Sequence, residues 1–132
     1  MWIASSIGFF SIVTKDGNLH VRARARRDLI NLLAIPGIPQ AKIETWPAAD
    51  YRWRIRLDPG AAGAVLGALA GTVDYPNFKS EVARRPDQRA KLPAYHRLWD
   101  GLFEIQEEAR LVEAGVLPEG GQGAAGGRRP RG

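Results

Sequence analysis

The sequence predicts an α+β fold with a four-stranded antiparallel sheet, helices packed on one sheet face, and an added long C-terminal helix. Two segments, Leu19–Arg26 and Tyr51–Leu57, alternate with the period of two that is typical of a half-buried strand. Each follows a shorter strand-like segment and a turn, and each continues through an aspartate into helix-like sequence. A ββα unit therefore occurs twice, and this ββα-ββα pseudo-repeat is a circular permutation of the ferredoxin-like order.

The first ββα unit begins with Gly8–Thr14, which is rich in β-branched and aromatic residues and predicts a strand. Asp16-Gly17-Asn18 predicts a hairpin turn, because Asp-Gly tolerates positive φ angles. After the alternating strand Leu19–Arg26, we expect Asp28 to cap a short helix that continues through Ala34. The prolines of Ile35–Pro39 are expected to end that helix.

The second ββα unit repeats this order. Lys42–Trp46 predicts a short strand, Pro47–Asp50 a turn, and Tyr51–Leu57 the second alternating strand. Asp58-Pro59 then opens a predicted helix through about Ala70, with proline in the first turn, where it is tolerated.

Two further helices follow the second unit. Asn77–Arg85 is short, and Pro93–Ala114 carries a long apolar stripe, with Gly115 as its expected end. We therefore expect a single α+β domain over residues 1–117. Residues 118–132 are rich in glycine and arginine and have no large apolar side chain, which predicts a disordered basic tail.

The composition narrows the classes of function. The net charge is +5, and residues 1–71 have nine Lys and Arg against five Asp and Glu, which favours phosphate-bearing partners. The chain has no cysteine, so disulfides and thiolate metal sites are excluded. Neither a secretory leader nor a membrane-spanning segment is recognisable, so we expect a cytoplasmic protein with no membrane partner.

The alternating strands predict a surface lined with arginine. In the permuted arrangement the two strands are neighbours, and their apolar residues face the helices. These expected helix-facing residues are Val21, Ala23, Ala25, Tyr51, Trp53, Ile55 and Leu57. The opposite face would then carry five guanidinium groups, those of Arg22, Arg24, Arg52, Arg54 and Arg56. Like charges side by side on a sheet are unfavourable, so something is expected to offset them.

Three kinds of group could offset these charges. One is nucleic-acid phosphate, which guanidinium groups bind with two parallel hydrogen bonds. Another is the acidic side of the long helix, with Glu104, Glu107 and Glu108. The third is an acidic protein partner or a small anionic ligand.

Our leading hypothesis is a non-enzymatic accessory protein that binds DNA or RNA. Tail arginines would add phosphate affinity, namely Arg128, Arg129 and Arg131.

The segment Asp74–Lys79 mixes aromatic, amide and charged residues just before a predicted helix. One interpretation is an ordinary loop in which Asn77 or Asp74 caps the helix. The other is a rim beside the arginine-lined surface, formed by Asp74, Tyr75, Asn77, Lys79 and His96.

Enzymatic chemistry is not supported by the sequence. His96 and Asp100, four residues apart, could form an acid–base pair, although such pairs are more often surface contacts on a helix. His20 is expected at the surface. The chain has no nucleophile elbow, phosphate-binding loop or metal-ligand spacing, so we expect no catalytic residue, cofactor or metal.

Five segments together carry a resemblance to a known family. They are Gly8–Val13, Val21–Leu29, Tyr51–Arg54, Asp74–Lys79 and Tyr95–Trp99. Over about residues 1–103 the chain resembles a family of small proteins found in bacteria and their phages. That family has no assigned activity, so the resemblance implies none. A phage or mobile-element origin favours, as the alternative hypothesis, a protein-interaction module that modulates a host factor.

Overall fold

The structure, a computed structural model, describes residues 1–120, so the arginines of the predicted basic tail lie outside the described part. The chain divides into two compact units, residues 1–90 and the residues from Lys91 onward. The elements of the first unit are β1 (Trp2–Ser5), β2 (Gly8–Lys15), β3 (Asn18–Ala23), α1 (Arg26–Leu33), β4 (Glu44–Thr45), β5 (Trp53–Leu57), α2 (Ala62–Ala70) and α3 (Phe78–Arg84). The second unit contains α4 (Leu92–Glu113).

The sheet is antiparallel, with the strand order β1-β2-β3-β5-β4. The α+β class and the long C-terminal helix agree with the prediction, but the sheet has five strands instead of four. The additional strand is β1, which pairs Trp2 with Ser11 and Ser5 with Gly8. Four residues are too few to display a period of two, which explains why the sequence alone did not predict this strand.

The two alternating strands are neighbours, as predicted, and their register aligns the apolar residues. Leu19 lies opposite Leu57, Val21 opposite Ile55, and Ala23 opposite Trp53. On this face of the sheet the apolar core includes helix side chains that are at most 4% exposed: Leu29, Leu32, Val65 and Leu69. The predicted helix-facing side of these two strands is therefore confirmed for the residues within β3 and β5.

Several predicted boundaries are confirmed by their local chemistry. Asp16 and Gly17 have φ angles of 50° and 75°, the positive values expected at the hairpin turn. Asp58 accepts a hydrogen bond from the Gly60 amide at 2.8 Å, just before the 3₁₀ turn that leads into α2. Asn77 caps α3 through the Ser80 amide at 2.9 Å, and Gly115 ends α4 with a φ of 75°.

The predicted capping role of Asp28 is wrong. β3 ends at Ala23, and α1 begins at Arg26 with Ala25 at its N-cap position, so Asp28 already lies in the first helical turn. Its buried carboxylate instead accepts hydrogen bonds from the Phe9 amide at 3.1 Å and from Gln88 Nε2 at 3.0 Å. Asp28 thus joins α1, the sheet and the segment after α3.

Within residues 1–120, no helix is both long and apolar enough to cross a membrane.

Candidate nucleic-acid interface on the sheet

The strand register places charged and polar side chains on the sheet face opposite the core. Arg22 lies opposite Arg54, and His20 lies opposite Arg56. On the flanking strands, Ser11 lies opposite Arg22 and Glu44 lies opposite Arg54 in the strand register. Two aromatic side chains from the β4–β5 connection, Trp46 and Tyr51, contact these residues. We call this surface the arginine face; its members are Ser11, His20, Arg22, Glu44, Trp46, Tyr51, Arg54 and Arg56.

Arg54 occupies the middle of the arginine face and is only 1% exposed. Its guanidinium carbon lies 3.8 Å from the centroid of the Trp46 ring. Nη1 donates to His20 Nδ1 at 3.2 Å, and Nη2 donates to the Tyr51 carbonyl oxygen at 3.3 Å. Burial, and then the charge of neighbouring Arg22, lower the pKa of the Arg54 guanidinium from its ordinary value.

Arg22 is 8% exposed and is held by a hydroxyl group and an aromatic ring. Its Nη2 donates to Ser11 Oγ at 2.7 Å, and its guanidinium carbon lies 4.6 Å from the Tyr51 ring centroid. The guanidinium carbon of Arg24 lies at the same distance from that ring. The prediction that Tyr51 faces the helices is therefore wrong. Tyr51 lies before β5 begins, where the alternation of strand side chains no longer fixes its direction.

The two buried guanidinium groups are not neutralised by carboxylates. Within the described residues, neither Arg22 nor Arg54 forms an ion pair. Three buried nitrogens on this face also have no hydrogen-bond partner within residues 1–120: Arg22 Nε, Arg54 Nε and His20 Nε2. The contacts with Trp46 and Tyr51 offset part of the repulsion, since a desolvated cation–π contact contributes about 2 kcal/mol. The result is a concentrated positive charge supported mainly by aromatic rings.

His20 is buried, which contradicts the prediction that it lies at the surface. A guanidinium can only donate hydrogen bonds, so His20 Nδ1 must accept from Arg54 and the ring proton belongs on Nε2. The ring meets Trp46 edge-on, with centroids 6.1 Å apart. Burial, followed by the charges of Arg54 and Arg56, lowers the pKa of His20 below 6.5. His20 is therefore a neutral hydrogen-bond acceptor for Arg54.

Glu44 connects the edge of the arginine face to its centre. Oε2 accepts from Arg56 Nε at 2.6 Å, and Oε1 accepts from the Trp46 indole nitrogen at 3.3 Å. The hydrogen bond from Arg56 lowers the pKa of Glu44 below its ordinary value. The Trp46 backbone amide also donates to the Arg52 carbonyl oxygen at 2.7 Å. Trp46 is nevertheless 37% exposed, so a tightly held indole remains accessible to solvent.

The structure separates the five predicted arginines into groups. Arg22 and Arg54 are buried, whereas Arg24 and Arg56 are exposed beside them. Arg52 is exposed as well, and its guanidinium carbon lies 5.5 Å from the ring of Trp53, which packs against the core. Its backbone carbonyl oxygen accepts from the amide of Trp46, so Arg52 borders the arginine face without being one of its members.

Sequence reasoning missed the aromatic and carboxylate partners of the arginines. A usable pattern was present, because Glu44 and Trp46 are two residues apart in a predicted strand and so belong on one face. The burial of His20 had no comparable signature, since it depends on Arg54 from a strand 34 positions later.

The predicted rim residues have roles within their own elements. Asn77 is the α3 cap, as the ordinary-loop interpretation expects, and the ring centroids of Tyr75 and Phe78 are 6.4 Å apart. Asp74 is exposed and Lys79 is half-buried. His96 is exposed on α4, in the other unit, where Glu107 forms an ion pair with Arg110 at 3.2 Å.

A polar cavity of about 480 Å³ adjoins the arginine face at the β4 edge of the sheet. Its lining includes Lys42, Glu44 and Arg56, together with Asn18 and Ala41.

Across residues 1–120, no three His, Asp or Glu side chains are grouped as metal ligands would be.

Comparison of the chain with protein-family models, with curated proteins and with solved structures finds no match. A functional proposal for this protein therefore rests on the contacts of the arginine face.

Proposed function

We propose that this protein is a small, non-enzymatic accessory protein that binds DNA or RNA through the arginine face. The observation that supports this most directly is the pair Arg22 and Arg54, two adjacent guanidinium groups without a carboxylate partner in the described residues. Uncompensated positive charge attracts a polyanion, and phosphate is the anion that guanidinium groups match best.

The buried and the exposed arginines have different roles. Arg56 on the arginine face, together with Arg24 and Arg52, which contact its members Tyr51 and Trp46, is exposed, and all three can contact phosphate directly. Arg22 and Arg54 raise the local potential and hold Tyr51 and Trp46 in place. The tail arginines would add contacts that are independent of nucleic-acid sequence.

A titration of labelled DNA and RNA, followed by fluorescence anisotropy at low and moderate salt, tests the proposal. We expect binding at low salt that weakens as salt rises, because phosphate contacts release counterions. A triple variant, Arg24→Gln, Arg52→Gln and Arg56→Gln, should bind much more weakly. The matched control is Arg26→Gln, Arg27→Gln and Arg89→Gln, which removes three exposed arginines elsewhere in the same unit.

Absence of binding by the wild-type protein at low salt would end this proposal. Equal losses in the two triple variants would mean that net charge, rather than the arginine face, attracts the nucleic acid.

A second candidate function is a protein-interaction module that modulates a host factor. It is favoured by α4, on which Trp99, Leu102 and Ile105 are each more than half exposed. Exposed apolar side chains grouped on one element are typical of protein-binding surfaces. Affinity capture with the wild-type protein and with a Leu102→Asp, Ile105→Asp variant tests it. A partner that both baits capture equally would argue against α4 as the binding surface.

We also propose that the two ββα units are related as a permuted ferredoxin-like pseudo-repeat, with β1 as an addition at the edge. The order β2-β3-β5-β4 supports this, because it puts the second strand of each unit at the centre. The resemblance to small bacterial and phage proteins supports a phage or mobile-element origin.

A further inference from the structure

We propose that the arginine face binds single-stranded nucleic acid through a nucleotide site organised by Glu44. In this site a base stacks on Trp46, and the adjoining phosphate is held by the free edge of the Arg56 guanidinium. The inference rests on the proposed function and extends it, since it specifies the form of nucleic acid and the residues that contact one nucleotide.

Trp46 has the properties of a stacking platform. One face of its ring lies against the Arg54 guanidinium at 3.8 Å, and the His20 ring meets it edge-on. The indole nitrogen donates to Glu44, and the backbone amide donates to Arg52. The ring is thus held by three contacts and the backbone by a fourth, yet the residue is 37% exposed. A rigid exposed indole offers its accessible surface to a base at little cost in conformational entropy.

Arg56 is oriented to bind phosphate. Its Nε donates to Glu44 at 2.6 Å, while Nη1 and Nη2 have no partner among the described residues. The side chain is 48% exposed and lines the polar cavity together with Lys42. Two adjacent free N–H groups on a fixed guanidinium match two phosphate oxygens. Lys42 supplies a second positive charge at the same cavity.

Glu44 explains how the two contacts act together. The two oxygens of one carboxylate accept from Trp46 and Arg56, so the same carboxyl group holds the indole ring and the guanidinium close to each other. A negative charge at this position would otherwise oppose phosphate binding. The presence of Glu44 at the edge of a basic surface is explained if its role is to position Trp46 and Arg56.

The stacking contact selects for single strands. In a duplex the faces of the bases are covered by neighbouring base pairs, whereas unpaired bases can stack on an aromatic side chain. Duplex nucleic acid could therefore contact the arginines but not Trp46.

The first experiment measures the affinity of the full chain for a labelled oligothymidylate and for a labelled duplex of equal length. We expect tighter binding of the single strand. Trp46→Leu should weaken single-strand binding about tenfold and leave duplex binding nearly unchanged, since one stacked base contributes about a factor of ten or more. Trp46→Phe retains an aromatic ring and should recover most of the affinity. Trp99→Leu is the control, because it removes an exposed indole from α4.

The second experiment tests the positioning role of Glu44. If charge alone determines affinity, Glu44→Gln should tighten binding, because it removes a negative group. The nucleotide site predicts weaker single-strand binding, several-fold, because an amide offers only one acceptor oxygen for the two donors. Arg56→Lys keeps the charge but lacks the paired N–H groups, and it should weaken binding by a similar factor. Thermal unfolding of each variant verifies that the fold is retained.

The outcomes separate the inference from the proposed function. Salt-dependent binding with equal affinity for single strand and duplex, together with no effect of Trp46→Leu, would overturn the nucleotide site and leave the proposed function in place. Tighter binding by Glu44→Gln would also overturn it. Failure of the wild-type protein to bind either probe at low salt would overturn both.

Discussion

At the scale of single residues, the arginine face shows how two arginines can be buried in a sheet without an ion pair to either of them among the described residues. Arg54 and Arg22 are desolvated, and each exchanges water for an aromatic ring and one or two neutral acceptors. Neutral partners leave the positive charge available to an external anion, whereas carboxylates would cancel it. This arrangement has a cost, because His20 must stay neutral to accept from Arg54.

The first prediction concerns the pH dependence of stability that follows from His20. Its pKa in the folded state is below the 6.5 of the unfolded chain, so below pH 6.5 the unfolded state binds the proton more readily. The contribution of neutral His20 to the free energy of unfolding should therefore be fully present above about pH 7. The free energy of unfolding should fall as the pH decreases from about 6.5 towards 5. Urea unfolding at a series of pH values measures this dependence.

His20→Gln should lose this component of the pH dependence, whereas His96→Gln, which alters an exposed histidine on α4, should keep it. The pKa of Glu44 is lowered by Arg56, so its stabilising effect is lost only at more acidic pH. An unchanged slope between pH 6.5 and 5 in His20→Gln would show that the histidine does not couple folding to protonation.

The second prediction concerns Gly8, where β2 approaches α1 closely. A Cβ atom at this position would lie 2.5 Å from Asp28 Cβ and 2.9 Å from Phe10 Cζ. Gly8→Ala should therefore destabilise the fold by about 1–3 kcal/mol, the usual cost of overpacking. The control is Gly67→Ala in α2, where, apart from the chain neighbours and the adjacent helix backbone, no described atom lies within 4 Å of the added Cβ, so the gain in helix propensity should stabilise by up to about 1 kcal/mol. Chemical denaturation of both variants checks the opposite signs.

At the scale of secondary-structure elements, the third prediction concerns the start of α3. The Asn77 side chain accepts from the Ser80 amide at 2.9 Å, and the helix is only seven residues long. A short helix depends strongly on its cap, so Asn77→Ala should cost about 1 kcal/mol, and Asn77→Asp should retain most of the stability. A melting temperature for Asn77→Ala equal to that of the wild type would contradict this role.

The elements that the sequence predicted are those with strong local patterns. β3 and β5 alternate along their length, the Asp-Gly turn needs positive φ angles, and Asn77, Asp58 and Gly115 define helix ends through local chemistry. The misassigned features lack such a pattern. β1 has only four residues, too few to show a period, and Asp28 is a buried link because Gln88, 60 residues away, donates to it.

The candidate site was predictable only in part for the same reason. The strand period alone put Arg22, Arg54 and Arg56 on one face, and the register of β3 with β5 confirms that placement. The positions of Trp46 and Tyr51 depend on how the β4–β5 connection folds back onto the sheet, for which the sequence has no periodic signature. Burial of the guanidinium groups follows from those aromatic contacts, so it could not be inferred without them.

At the scale of the whole molecule, basic charge is concentrated in two segments of the chain. Residues 1–71 have nine basic and five acidic side chains, while residues 120–132 have three arginines and no acid. The folded unit of residues 1–90 supplies the arginine face with its Trp46 platform. Under the proposed function, the tail arginines would add phosphate contacts that do not depend on which bases are bound.

The fourth prediction uses salt dependence to count these contacts. For single strands, the logarithm of the affinity falls with the logarithm of salt concentration by about 0.7 per phosphate neutralised. If all three tail arginines contact phosphate, a chain ending at residue 117 should show a slope smaller by about 2 than that of the full chain. Arg56→Gln in the full chain should reduce the slope by about 0.7, and Arg89→Gln, the exposed control, should not change it. Identical slopes for the full and shortened chains would assign all phosphate contacts to the folded part, where Arg24, Arg52 and Arg56 would have to provide them.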